Sequence, residues 1–208
     1  MPINTYYTYV WAGVNPADGR PMYYDRNNNI TYSPVAADRR IVGDSNPRVL
    51  GGFDNTLSYK GFSLDVLFQY SYGAKSYLQT AQYIETSGSV PSNQNVNQLE
   101  RWTTPGQVTW VPRGYSNLTE PGGYNIQNLS SRFIENGAYI RLKQVTLDYA
   151  LPKPLLARLK IPSLSVYFQG YNLATITHYR GDDPENSNNN LNFYPNPRTL
   201  TFGVRGRF

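Results

Sequence analysis

The last ten residues restrict the fold more tightly than any other stretch of the chain. In Thr199-Leu200-Thr201-Phe202-Gly203-Val204-Arg205-Gly206-Arg207-Phe208, Leu200, Phe202, Val204 and Phe208 share one parity with Gly206. Thr199, Thr201, Gly203, Arg205 and Arg207 take the other. Side chains alternate between the two faces of a strand, so one face here is apolar and the other polar and cationic. Alternation alone also fits a soluble sheet. Joined to a terminal aromatic, it points to the closing strand of an outer-membrane barrel, with the apolar face toward lipid.

Composition enters as a filter. The 208 residues include 19 Tyr, 8 Phe and 3 Trp, with only 16% charged side chains, which favours β structure with long polar loops over helices. No run approaches the ~18 apolar residues of a membrane-spanning helix. Barrel strands escape that test because they alternate. An aromatic-rich soluble β-sandwich, such as a carbohydrate-binding module, passes it too. The absence of cysteine removes disulfides and thiolate metal sites. A net charge of +5 spread over scattered Lys and Arg lacks the concentrated stripe that nucleic acid binding needs. Met1-Pro2-Ile3-Asn4-Thr5 is no signal peptide, so the chain is expected to be either cytoplasmic or a piece whose beginning lies elsewhere.

Four further stretches alternate. Residues 49–59 set Phe53, Leu57 and Tyr59 against Asp54, Thr56 and Ser58, with Asn55 on the apolar side. Lys60-Gly61 makes a two-residue connection to 62–72, where Phe62, Leu64, Val66, Phe68, Tyr70 and Tyr72 oppose Ser63, Asp65, Gln69 and Ser71. Residues 138–150 set Val145, Leu147 and Tyr149 against Gln144, Thr146 and Asp148. Upstream of these the phase reverses: Arg141 and Lys143 would face lipid, at roughly 2–4 kcal/mol each. A bulge near Lys143-Gln144 is therefore expected. Residues 163–173 set Leu164, Val166 and Phe168 against Ser165, Tyr167, Gln169 and Tyr171. The closing strand is 199–208.

Between the strands lie polar segments. Residues 1–47 read as loop with a small hairpin around Asp25-Arg26-Asn27-Asn28-Asn29. Residues 73–137 are rich in Ser, Asn, Gln, Gly and Pro, with short helices expected at 75–86 and 95–102. Residues 151–162 read as a short helix opened by Pro152 and Pro154 and stopped by Pro162. A third polar loop is 174–198. If the last strand ends at the periplasmic rim, then 1–47, 73–137 and 174–198 fall outside the cell, and 60–61 and 151–162 inside. Every long connection lands outside and every short one inside, as outer-membrane barrels arrange them.

Several motifs together resemble one family. They are the run from Asn46-Pro47-Arg48-Val49-Leu50-Gly51-Gly52-Phe53-Asp54 to Tyr59-Lys60-Gly61-Phe62, then Arg101-Trp102-Thr103, then Ser131-Arg132-Phe133-Ile134-Glu135-Asn136-Gly137 to Leu147, then Gly170-Tyr171-Asn172-Leu173, and Tyr194-Pro195-Asn196-Pro197-Arg198-Thr199. In this order they resemble the SusC/RagA-like TonB-dependent outer-membrane transporters. The resemblance implies an antiparallel transmembrane β-barrel of 22 strands, of which these are about the five carboxyl-terminal ones, with long extracellular loops. It implies a location in the cell outer membrane, a SusD-like lipoprotein partner, the TonB complex acting through a missing amino-terminal part, and import of an oligosaccharide or peptide. Signal peptide, plug and most of the wall are expected upstream. A passive outer-membrane pore or adhesin shares the barrel without plug or TonB.

No catalytic constellation stands out, so the chain reads as no enzyme, without cofactor or metal. His178 is the only histidine. Asp182-Asp183-Pro184-Glu185 offers carboxylates but fits no EF-hand spacing. Candidate substrate contacts are the loop aromatics Trp110, Tyr115, Trp102 and Tyr83, whose flat faces stack on sugar rings or pack peptide side chains. Trp102, inside a family motif, reads more as a loop-holding residue. Leu200, Phe202, Val204 and Phe208 are expected to face lipid, and the resemblance makes Phe208 the barrel-assembly signal. Arg205 and Arg207 turn inward on that strand. The sequons at Asn117 and Asn128 carry little meaning in a bacterial setting.

Overall fold

Alternation becomes a ladder in the computed structural model, which describes residues 3–115, 125–186 and 194–207. Phe208 and the Asn117 sequon lie outside the described residues. Five strands, Val49–Tyr59, Phe62–Tyr72, Tyr139–Ala150, Ser163–Thr177 and Thr199–Arg207, form one sheet, each antiparallel to the one before it. Register stacks like residues into rows across all five. One row runs Leu57, Leu64, Leu147, Phe168, Phe202, and the next Tyr59, Phe62, Tyr149, Val166, Val204. Leu200, Phe202 and Val204 are 65%, 73% and 60% exposed on this apolar face.

The opposite face is polar and internally bonded. Its row Thr56, Asp65, Thr146, Gln169, Thr201 is tied by Thr56 Oγ1 donating to Asp65 Oδ2 at 2.9 Å and Gln169 Nε2 to Thr146 Oγ1 at 3.1 Å. Below it, Ser165 Oγ donates to Asp148 Oδ2 at 3.2 Å, and Arg205 Nη1 stands 3.6 Å from the same oxygen. Cross-strand pairs of this kind fix register, since a one-residue slip would exchange the two faces.

The expected bulge is present. Register shifts between Leu142 and Gln144 against both neighbouring strands: against Phe62–Tyr72 Lys143 is the extra residue, and against Ser163–Thr177 two residues, Asn172 and Leu173, stand opposite Lys143. The shift returns Ile140 to the apolar face, opposite Tyr70 and Ile176. It turns Arg141 to the polar side, where it is buried and its Nε donates to Thr175 Oγ1 at 3.0 Å. The fourth strand runs past 173 to Thr177 because Asn172, at φ +52, absorbs the irregularity and pairing resumes at Ala174. Lys60 and Gly61 both take positive φ (45 and 89), as a tight hairpin turn requires. Residues Lys153–Leu159 form the short helix, closed by Lys160 in the left-handed region.

A second compact unit gathers residues 1–46, 74–136 and 179–193, and the sheet unit holds 47–73, 137–178 and 194–208. Each crossing into the second unit leaves the ladder at one end, where Val49 pairs Tyr72 and Tyr139 pairs Thr177. The second unit has its own core, in which Leu78, Ala81, Phe133 and Tyr179 are buried together. The hairpin at Asp25 forms between Pro21–Tyr24 and Ile30–Thr31. Other pairings have no local cue: Thr5–Thr8 with Arg40–Asp44, and Lys75–Tyr77 with Ile134–Asn136. The helix expected at 75–86 shrinks to Gln79–Ile84 because its first residues are taken into that last pairing. The stretch expected to be helical at 95–102 is a 3-10 turn, Val96–Glu100.

Two tyrosines lie over glycines in the facing strand. A Cβ on Gly51 would come within 2.5 Å of Tyr70 Oη, and one on Gly203 within 2.6 Å of Tyr167 Cζ. Gly203→Val should therefore displace the Tyr167 ring and cost the complete protein about 1–3 kcal/mol in urea unfolding. The loss should largely vanish when Tyr167 is also changed to Ala.

Candidate functional site

Within the second unit, a single 3-10 turn, Ser131–Phe133, carries the most unusual side chain in the chain. Phe133 is fully buried and its carbonyl accepts from Leu78 N at 2.8 Å, which fixes the turn on the core. Ser131 N donates to Tyr9 O at 2.9 Å, and Ser131 Oγ accepts from Trp11 N at 2.9 Å. Thr8 Oγ1 adds a bond to Leu129 O at 2.6 Å. These bonds sew residues 8–11 to residues 129–131 and bring Trp11 beside Arg132.

Arg132 is 9% exposed. Its guanidinium carbon lies 5.2 Å from the Trp11 ring centre, 5.3 Å from Phe133 and 5.6 Å from Trp110. Cation–π attraction compensates part of the lost hydration. Nη2 donates to Glu85 O at 3.4 Å, while Nε and Nη1 are buried and meet no acceptor among the described residues. Burial pulls the Arg132 pKa down to about 10, and the Glu85 carboxylate resists the shift.

Arg180 answers a different need. Its Nη1 lies 3.1 Å from Glu85 Oε1, its Nη2 2.6 Å from Glu135 Oε1, and its backbone N donates to Glu135 Oε2 at 3.0 Å. Glu85, 1% exposed, also accepts from Asn97 Nδ2 at 2.8 Å. One guanidinium thus serves two carboxylates, and it also lies 5.5 Å over Trp110. Trp11, Trp110, Ser131, Arg132 and Arg180 line an open cleft of about 490 Å³. Tyr77, on the same unit, donates to Gln82 Oε1, and its pKa is pushed up to about 12, chiefly by burial.

Of the loop aromatics, Trp110 lines this cleft. Trp102 instead packs on the turn at Gly19, where a Cβ would sit 2.5 Å from its ring, and its Nε1 donates to Pro16 O at 2.9 Å. Tyr115 lies under the Arg113 guanidinium, which donates from Nε to its hydroxyl at 2.6 Å. Tyr83 is exposed on the short helix Gln79–Ile84. His178 borders an apolar groove of the sheet unit with Tyr70, Ile140 and Ile176. Asp183 Oδ1 accepts from Glu185 N at 2.9 Å, an ordinary turn bond. Sequence reasoning did not single out Trp11, Glu85, Arg132 or Arg180.

No family model matches the chain. Among curated relatives, it is 32% identical over 203 residues to TonB-dependent receptor P3 of Formosa agariphila, covering 91% of this chain and 19% of the relative. It is 30% identical over 205 residues to TonB-dependent receptor P26 of the same organism, covering 91% and 20%. The chain thus spans about a fifth of the length of these relatives. Among solved structures, the RagAB peptide transporter superposes with TM-score 0.85 at 29% identity, over 97% of this chain and 22% of that one. The RagAB peptide importer in its open-open state gives 0.83 at 28%, over 100% and 24%.

Arg180→Met should leave Glu85 buried with one partner fewer and cost roughly 1–3 kcal/mol in thermal unfolding of the complete protein, the exposed part of Arg180 tempering the loss. Adding Glu85→Gln to that variant should recover only part of it, because the buried carboxylate is gone but Arg132 loses the charge beside it.

Proposed function

The chain is SusC/RagA-like TonB-dependent receptor sequence over 91% of its length, and on that premise we propose that it forms one sector of an outer-membrane barrel wall with extracellular loops. The sheet's two outer strands, Val49–Tyr59 and Thr199–Arg207, carry backbone donors and acceptors along their free edges. Hydrocarbon holds no water to meet them, so the wall closes through further strands, 22 in all by the family resemblance. Segments 1–46, 74–136 and 179–193 form the extracellular part, and the turn at 60–61 with residues 151–162 faces the periplasm.

The whole receptor imports a nutrient oligomer, driven by TonB and working with a SusD-like lipoprotein. The reading makes it a transporter and no enzyme. We assign a short peptide as cargo on the likeness to the RagAB peptide importer; a glycan is the alternative. The observation that carries the reading is the five-strand apolar face, from Leu57 to Phe202, standing open on one side of a sheet whose other side is bonded and polar. A soluble sandwich would need a second layer on that face. In lipid the same face is at rest.

Two measurements test this. In the complete receptor, Phe202→Arg should cost about 2–4 kcal/mol in unfolding from liposomes, whereas Thr201→Arg, one residue along and on the inner face, should cost far less; equal losses would oppose the membrane reading. Uptake of labelled peptides by cells carrying the receptor should stop when TonB is deleted. Uptake that persists would point to a passive pore.

A further inference from the structure

The apolar face of the sheet is smooth along most of its length and notched at the loop end. There Gly51, Tyr70, Ile140 and Ile176 form one row across four strands. The Tyr70 ring does not cover the strand that carries Ile140. It lies over Gly51, where a Cβ would come within 2.5 Å of its hydroxyl, and so leaves a gap between itself and Ile176. One row further out, Tyr139 pairs with Ser71 and Thr177, so Ala138 comes between Tyr72 and His178 and fills little of the space between them. The two gaps join into an apolar slot of about 290 Å³ whose lining includes Tyr70, Tyr72, Ala138, Ile140, Ile176 and His178. Its walls are open to a ligand: Tyr72 is 65% exposed and Ile176 74%.

We propose that this slot holds an acyl chain of lipopolysaccharide from the outer leaflet. The proposal rests on the wall reading above and deepens it. The slot is continuous with the apolar band from Leu57 to Phe202 and lies at the end where the long segments leave the ladder. In the wall it therefore opens to the outer leaflet, whose lipid in an outer membrane is lipopolysaccharide. Hydrophobic burial does not decide its occupancy, since lipid tails are as apolar as the slot. Packing does. A groove left unfilled forfeits dispersion contacts along its lining, and a flexible hydrocarbon chain regains them. The volume is roughly ten times the ~30 Å³ share of one water, which suits a stretch of acyl chain. A helix, about 10 Å across, does not enter it. Tyr72 and His178 stand at the mouth, at headgroup depth, where an aromatic body with a polar tip is at home. Their hydroxyl and imidazole suit the sugars and phosphates of a lipopolysaccharide head, and further chains on that head keep the first in place.

The experiment is native mass spectrometry of the complete receptor complex, extracted from outer membranes in mild detergent and washed by repeated detergent exchange. The unaltered receptor should retain lipopolysaccharide. Ala138→Phe fills the slot, and Gly51→Val pushes the Tyr70 ring back across it from the neighbouring strand. Each should lower the retained fraction at least about threefold, the weight of a handful of lost carbon contacts. Leu57→Phe, on the same face at the opposite end, should leave retention unchanged. Full retention in both slot variants overturns the proposal. So does retention of phospholipid in place of lipopolysaccharide, or of no lipid by the unaltered receptor. A pair of receptors held together through this face and parted by Ala138→Phe also overturns it, by making a second copy the occupant. If a slot variant fails to fold, judged by heat-dependent gel mobility, Ile176→Ala takes its place with the same expected loss, since it shortens one wall at an exposed position and leaves the pairing intact. The wall reading is tested separately by Phe202→Arg against Thr201→Arg, so an empty slot leaves that reading standing, while equal losses there remove the membrane face the slot depends on.

Discussion

Register between adjacent strands is the constraint on which the sheet depends. Each strand taken alone is a modest alternation, and Asn55 and Leu67 even sit on the wrong sides of theirs. Pairing Leu57 with Leu64, Leu64 with Leu147, Leu147 with Phe168 and Phe168 with Phe202 converts five weak patterns into one continuous apolar band. The same pairings gather Asp65, Thr146 and Gln169 into a bonded rib on the reverse side. In hydrocarbon the two faces are not interchangeable, so a slip of one residue would cost every row at once.

The bulge at Lys143 shows how strictly that constraint acts. Without it, Arg141 would stand on the apolar face and Ile140 on the polar one. With it, Arg141 is buried against Thr175 and Ile140 lies between Tyr70 and Ile176. A backbone irregularity costs far less than an arginine at mid-bilayer. The positive φ of Asn172 belongs to the same adjustment on the next strand, opposite the displaced residue.

These features were legible because they are periodic or local. A two-residue period, a two-residue turn at Lys60-Gly61 and a phase break at 142–144 can all be read within a dozen residues. For the same reason the local pattern of the fourth strand ends at 173, since Asn172 breaks the alternation and only long-range pairing carries the strand on to Thr177. In the second unit, short strands such as Lys75–Tyr77 owe their existence to partners some sixty residues away. The candidate site is the extreme case. Trp11, Glu85, Trp110, Arg132 and Arg180 come from five separate segments, and nothing in the spacing of any one segment announces the others. Trp110 stands out singly as an aromatic in a polar loop, whereas Arg132 lies in a motif whose neighbours Ser131 and Phe133 hold the turn on the core.

The two units solve opposite solvent problems with one composition. In the sheet, large apolar groups face outward and polar groups bond to each other. In the loop unit, Leu78, Phe133 and Tyr179 turn inward, and Arg180 is shared between Glu85 and Glu135. Here Glu85 through one oxygen and Glu135 through both hold Arg180, and the turn that buries Phe133 carries Arg132 into the fold beside them. The position of Arg132 is thus imposed by the core, and its lost hydration is offset in part by the three aromatic rings around it and by the neighbouring Glu85 carboxylate.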